Sequence, residues 1–186
     1  GDTKVVERGN GDKIFINTTG FVPVHPKANI AAAQIKTGDK IIINGLIAQH
    51  GMAIMSEREG LEFESSIISD TTNLNFLIWD LLDRFGDKIH LLRDPTRGGL
   101  ASVLSEIAID ITKGISLIEK EIPIEKQVAA ACEILGLDPL NIANEGLFVA
   151  IVDPGIADEV LADMRKNDKG RNAVFMGEIT DDHPAK

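Results

Sequence analysis

Two acidic side chains, one lysine and a pair of glycines carry most of the chemical potential of this 186-residue chain. Asp2 and Lys4 flank Thr3 at the head of a strand-like run, and alternation along a strand sends both side chains to one face. A carboxylate and an ammonium placed that way can hold a metal-bound phosphate and a transferring oxygen; otherwise they form a solvated strand end. Asn144-Glu145-Gly146 follows the apolar pair Ile142-Ala143 and precedes a run that reads as a buried strand. A carboxylate there is expected to be partly desolvated, which raises its pKa and suits it to accept a proton. The plainer alternative is a solvated loop glutamate. Arg93-Asp94-Pro95-Thr96-Arg97-Gly98-Gly99-Leu100 places two arginines and two glycines at the mouth of a helix. Free N–H groups and the positive end of the helix dipole make such a turn an anion site, with Gly98 and Gly99 leaving room for a ligand. An ordinary strand-to-helix corner, glycine-bearing for tight packing, has the same spelling. Arg93 and Arg97 can each meet a phosphate or a protein carboxylate. His50 and Gly51 lie in a glycine-bearing loop that opens another helix, suited either to phosphate or peptide contact or to a purely structural role.

The elements that must position these residues follow from the spacing of apolar side chains. Leu100, Val103, Leu104, Ile107, Ala108 and Ile111 mark one face of a helix over 97–111, preceded by a strand over 88–93. Leu74, Leu77, Ile78, Leu81, Leu82 and Phe85 mark a second amphipathic helix. Lys40–Asn44 reads as a strand after a Gly38-Asp39 turn, and 45–51 as a loop leading into a helix that runs to about Arg58. Ile115 and Leu117 alternate in a further strand, a helix spans 124–135, and 147–152 is a strand. Asp153 caps the next helix with Pro154 in its first turn, and Val160, Leu161 and Met164 face inward. A last strand covers 173–179. Near the start, 4–8 and 13–19 are strand-like runs around Asn10-Gly11, a hairpin signal. Phe21-Val22-Pro23-Val24-His25-Pro26 reads as a linker. Strands and helices intermingle without strict alternation, so the expected class is α+β: a mixed sheet with helices packed on it.

A formal charge of −10 argues against nucleic acid as a partner, yet leaves ATP open, whose phosphates local N–H groups and a metal can hold. The apolar content of 44% supports an ordinary core. No signal peptide and no membrane-crossing apolar run is evident, so a cytoplasmic location is expected. The single cysteine excludes an internal disulfide framework. Cys132 shares a helical face with Val128, Ala131 and Leu135 and is expected to be a buried structural thiol. His25, His50, His90 and His183 show no metal-ligand spacing.

Several of these segments, in order, resemble one family. Gly1-Asp2-Thr3-Lys4, Asn44-Gly45-Leu46-Ile47-Ala48-Gln49-His50-Gly51, Asp94-Pro95-Thr96-Arg97-Gly98-Gly99-Leu100 and Ala143-Asn144-Glu145-Gly146 are similar to motifs of the HypE family of hydrogenase maturation factors, in the AIR synthase (PurM-like) superfamily. The resemblance implies a chain longer at both ends. Residues 1–26 would close a truncated N-terminal ATP-binding domain as a hairpin remnant plus linker, and 27–186 would form the C-terminal AIR-synthase-like domain. A reactive cysteine would lie beyond Lys186.

The implied reaction is ATP-dependent dehydration of a carbamoylated C-terminal cysteine to a thiocyanate, the cyanide source for the iron of nickel-iron hydrogenase. Lys4 and Glu145 are the implied catalytic pair, with Glu145 as general base. Asp2, Thr3, Arg97, Gly98 and Gly99 are the implied nucleotide and phosphate contacts, Asp2 also holding Mg. His50, Gly51 and Asn144 are the implied substrate loop. The implied partners are the carbamoyl transferase HypF and the HypC–HypD complex. A homodimer is expected for the full-length protein, and a monomer or weak dimer for 1–186, which is expected to be inactive alone. Two departures from the family pattern stand out: Ala48-Gln49 where glycine and Asp or Asn are usual, and Leu147 where lysine is usual. The second removes a cation from beside Glu145. Selenophosphate synthetase, AIR synthase and thiamine-phosphate kinase are alternative relatives, and a non-catalytic docking module for maturation partners is the alternative of a different kind.

Overall fold

Three successive isoleucines in β1 (Lys40–Ile43) and the run Val-Ala-Ile-Val in β4 (Val149–Val152) are apolar on both faces. β-branched side chains favour the extended backbone, and the two-residue period sends alternate members to opposite sides, so a strand of this composition needs cover above and below. The computed structural model describes residues 7–9, 19–59 and 67–185 and supplies that cover. Ile41, Ile43, Val149 and Ile151 pack with Met52 of α1 (Gln49–Glu59), Leu100, Val103, Leu104 and Ile107 of α3 (Gly99–Ile111), and Val128, Ala131 and Cys132 of α4 (Lys126–Leu135). Ile42, Ala150 and Val152 pack instead with Leu77, Leu81, Leu82 and Phe85 of α2 (Asn75–Phe85), and with Val160 and Met164 of α5 (Ala157–Met164).

Among the described residues the strands form one sheet. With β2 (Ile89–Arg93), β3 (Gly114–Leu117) and β5 (Val174–Thr180), its order is β2-β4-β1-β5-β3, and every pair is antiparallel. The α+β class read from the sequence is the one found, and all the strands and helices expected between 40 and 180 are present. Helix α3 starts at Gly99 rather than 97 because Gly98, at φ 69°, is its left-handed cap residue. Asp153 caps as expected, accepting from Gly155 N–H at 2.9 Å, but what it caps is a short 3-10 turn over Pro154–Ile156 that leads into α5. Leu161 is half-buried where an inward position was expected.

The expected hairpin over 4–19 lies almost wholly outside the described residues. The linker over 21–26 carries no helix or strand, and Phe21, Val22 and Val24 are exposed. Its far end is fastened to α2: the His25 ring meets Trp79 edge-on with centroids 4.4 Å apart, and Lys27 pairs with Asp83 at 2.8 Å. No helix among the described residues is long and apolar enough to cross a membrane.

Candidate functional site

Asn144 is the knot of the site. It is 1% exposed, and its side chain ties three loops that are remote in sequence. Oδ1 accepts from Ala48 N–H at 2.8 Å, while Nδ2 donates to Pro95 O at 2.8 Å and to Ile142 O at 3.1 Å. Both amide hydrogens and the carbonyl oxygen are thus engaged. A buried amide so committed shapes the loops around it. Gly51 N–H donates to Ala143 O at 3.0 Å and tightens the same junction.

The arginine–glycine turn joins this knot through Pro95. Gly99 is buried at φ 62°, and a Cβ there would run into the carbonyl oxygens of Leu140 and Ile142, the latter at 2.6 Å. Its missing side chain therefore makes room for backbone of the 140–142 segment, so the packing alternative holds for Gly99. Gly98 and Arg97 are exposed. Arg93 pairs with Glu106 at 2.6 Å, the protein-acid alternative.

Glu145 follows the knot directly and is exposed. The expected partial desolvation is not found among the described residues: the side chain projects from a loop whose buried members are its neighbours Asn144 and Gly146. What holds the backbone is Asp70. Its carboxylate accepts from Glu145 N–H at 3.2 and 3.3 Å and from Gly146 N–H at 3.1 Å. One residue earlier, Ser69 Oγ accepts from Thr71 N–H at 3.2 Å and lies 2.9 Å from His50 Nδ1. His50 and Glu145 are thus braced by the same short segment.

Beside these loops opens a cavity of about 250 Å³, lined by Gly45, Gln49, Asp70, Gly146, Lys169 and Arg171 among others. Lys169 Nζ donates to Asn73 O at 2.6 Å, and Arg171 pairs with Asp168. Asn44 anchors this wall, with Nδ2 donating to Lys169 O at 2.9 Å and Oδ1 accepting from Phe148 N–H at 2.7 Å. The expected effect of Leu147, loss of a cation beside Glu145, meets a different geometry. Leu147 is buried and packs over Gly45, and the cations of the cavity wall are Lys169 and Arg171. Neither they nor Asp70 had been singled out in the sequence.

The other departure, Ala48-Gln49, is accommodated locally. Ala48 takes a left-handed φ of 69°, and Gln49 donates to Glu125 at 2.9 Å. Cys132 is buried as expected, and burial pushes its thiol pKa up. His90 is buried against Asp39, Nδ1 to Oδ2 2.6 Å. Among the described residues no group of three or more His, Cys, Asp or Glu is placed to hold a metal ion. Asp2, Thr3 and Lys4 lie outside the described residues. The structure brings together His50, Gly51, Asn144, Glu145 and the turn of Arg97, Gly98 and Gly99, as loops meeting at Asn144.

Residues 36–185 match the family described as AIR synthase related protein, C-terminal domain. The chain is 50% identical over 184 residues to a carbamoyl dehydratase HypE of Bradyrhizobium diazoefficiens, covering 98% of this chain and 53% of that relative. Two solved structures are also similar. A crystal structure of a HypE–HypF complex superposes with a TM-score of 0.82 at 42% identity, over 85% of this chain and 52% of that one. A crystal structure of HypE in complex with ATP gives a TM-score of 0.77 at 38% identity, over 81% and 44%. The chain spans about half the length of the curated relatives it matches.

Proposed function

The chain belongs to the AIR synthase related protein family, and from this we propose that it is the C-terminal half of a HypE-type, ATP-dependent carbamoyl dehydratase. Residues 27–186 form the C-terminal domain in this reading, and 1–26 close an N-terminal ATP-binding domain that supplies most of the nucleotide contacts. Asp2, with Mg²⁺, and Thr3 belong to that nucleotide side, and Lys4 stands at the reaction centre. Arg97 and Gly98 contribute the exposed edge of the anion-binding turn.

The observation that carries this reading is the presentation of Glu145: an exposed carboxylate on a loop whose backbone is fixed on both sides by Asn144 and Gly146. In the reaction, the carboxamide oxygen of an S-carbamoyl cysteine attacks the γ-phosphorus of ATP and ADP leaves. One N–H proton passes to solvent as the C=N bond forms. Glu145 then removes the second N–H proton, the C–O bond breaks, and inorganic phosphate leaves a thiocyanate. Phosphorylation turns a poor oxygen leaving group into a good one, so proton removal completes the elimination. An N-terminal half closing over Glu145 excludes water and brings Lys4 opposite, which places the base in the drier setting that proton abstraction favours. A HypF-type carbamoyl transferase supplies the carbamoyl group, and a HypC–HypD-type complex receives the cyanide. The intact protein is a homodimer, whereas 1–186 is a monomer or weak dimer; its location is cytoplasmic.

ATP turnover tests the division of labour. Purified 1–186 is expected to hydrolyse no more ATP than its Glu145→Ala variant, while the intact two-domain protein turns over ATP when its terminal cysteine is carbamoylated. Glu145-dependent ATP hydrolysis by 1–186 alone would contradict the assignment of the nucleotide site to the N-terminal half.

A further inference from the structure

We propose that Asp70 is a positioning residue for Glu145, and that the segment 69–72 sets the geometry of the proton-abstracting loop; this rests on the reading of Glu145 given above. One carboxylate receives the N–H groups of two successive residues, Glu145 and Gly146, at 3.1 to 3.3 Å. N–H groups donating to an ionised acceptor make stronger bonds than those between neutral partners. Two of them on adjacent peptide units fix the direction in which the intervening Cα presents its side chain. The approach is close enough that Gly146 admits no other residue: a Cβ there would collide with the Asp70 carbonyl oxygen. Carboxylate and carbonyl of one residue therefore both lie against one peptide step.

The segment has no helix or strand to hold it, yet it carries a second polar anchor. Ser69 Oγ reaches His50 Nδ1 at 2.9 Å, and Thr71 Oγ1 lies 2.7 Å from Ser69 Oγ. The segment ahead of α2 thereby connects the start of α1 to the loop before β4. Asn144 makes the same connection from the buried side, and Asp70 makes it from the side that opens to the cavity. Asn144 fixes where the loop is. Asp70 fixes which way Glu145 points from it.

The test uses the intact two-domain protein with Asp70→Ala and Asp70→Asn. Misplacing a catalytic group by about 1 Å costs on the order of 100-fold, so Asp70→Ala is expected to lower kcat by about that factor. KM for ATP should stay within about twofold, because in this reading most nucleotide contacts come from the N-terminal half. Asparagine keeps one acceptor oxygen and is expected to recover most of the loss. Hydrogen exchange of the 145 and 146 amides should accelerate in Asp70→Ala, with the melting transition kept. An unchanged kcat in Asp70→Ala, or unchanged amide exchange, overturns the proposal. If Asp70→Ala does not fold, a kcat and amide exchange of Asp70→Asn both equal to those of the parent overturn it, and partial losses in both support it. If the parent protein shows no dehydratase turnover, the reading of Glu145 fails instead, and the role of Asp70 as its positioner fails with it, whereas amide exchange still reports the brace itself.

Discussion

Ala48 shows how a departure from a family pattern is absorbed at one residue. Its backbone is left-handed at φ 69°, its side chain is fully buried, and its N–H holds the Asn144 amide. A non-glycine residue pays about 1–2 kcal/mol for that conformation. Replacing it with glycine would relieve this, at a loss of about 0.8 kcal/mol for the buried methyl and about 0.4–1 kcal/mol in unfolded-chain entropy. Ala48→Gly is therefore expected to be near neutral, with the gain and losses cancelling to within about 0.8 kcal/mol either way, whereas Ala53→Gly inside α1 should cost about 1 kcal/mol. Urea midpoints at constant m distinguish the two, and equal losses would contradict the strain at Ala48. The sequence pointed to position 48 but not to its conformation, which depends on Asn144, 96 residues away. A comparable separation, 75 residues from Glu145, hid Asp70. An aspartate in a Ser-Asp-Thr-Thr run has the ordinary look of a turn, and its acceptor role exists only once 145–146 is folded against it. The neighbours of Glu145 left two readings, a partly desolvated carboxylate and a solvated loop glutamate, and its side chain is exposed while Ile142 turns into the core.

Elements were far more legible than contacts. Helices α2, α3 and α4 and strands β1 and β4 were all readable from apolar spacing, since periodicity is a local property and burial enforces it. The ends shifted by a residue or two where a cap intervened, as at Gly98. What spacing does not reveal is which loop an element end will face. The glycines before α3 read equally well as room for a ligand and as room for protein, and the fold decides for protein at Gly99. Gly99→Ala combines the left-handed strain with collision against backbone that has no rotamer to yield, so a loss of about 2–5 kcal/mol is expected. A melting temperature within a degree or two of the parent's would show that the 140–142 segment does not press on this position.

At the scale of the molecule, the described residues form three layers in which both sheet faces are covered while the loops that carry the candidate chemistry remain open. Both faces of β1 and β4 are buried, yet Glu145, Arg97 and Gly98 are exposed. Glu145, the proposed base, is thus exposed in a chain that spans about half the length of its curated relatives. The catalytic partner implied by the family resemblance, Lys4, is 141 positions from Glu145 along the chain, so in the proposed mechanism only folding and closure can unite them. The most direct test is mass spectrometry of the intact two-domain protein, carbamoylated on its terminal cysteine and supplied with ATP and Mg²⁺. The parent protein should lose the mass of one water as thiocyanate forms, and Glu145→Gln should show no such loss, keeping the carbamoyl group or its phosphorylated form while still folding and binding ATP. Loss of water at the parent's rate by Glu145→Gln would contradict the account, because some other group would then be removing the proton.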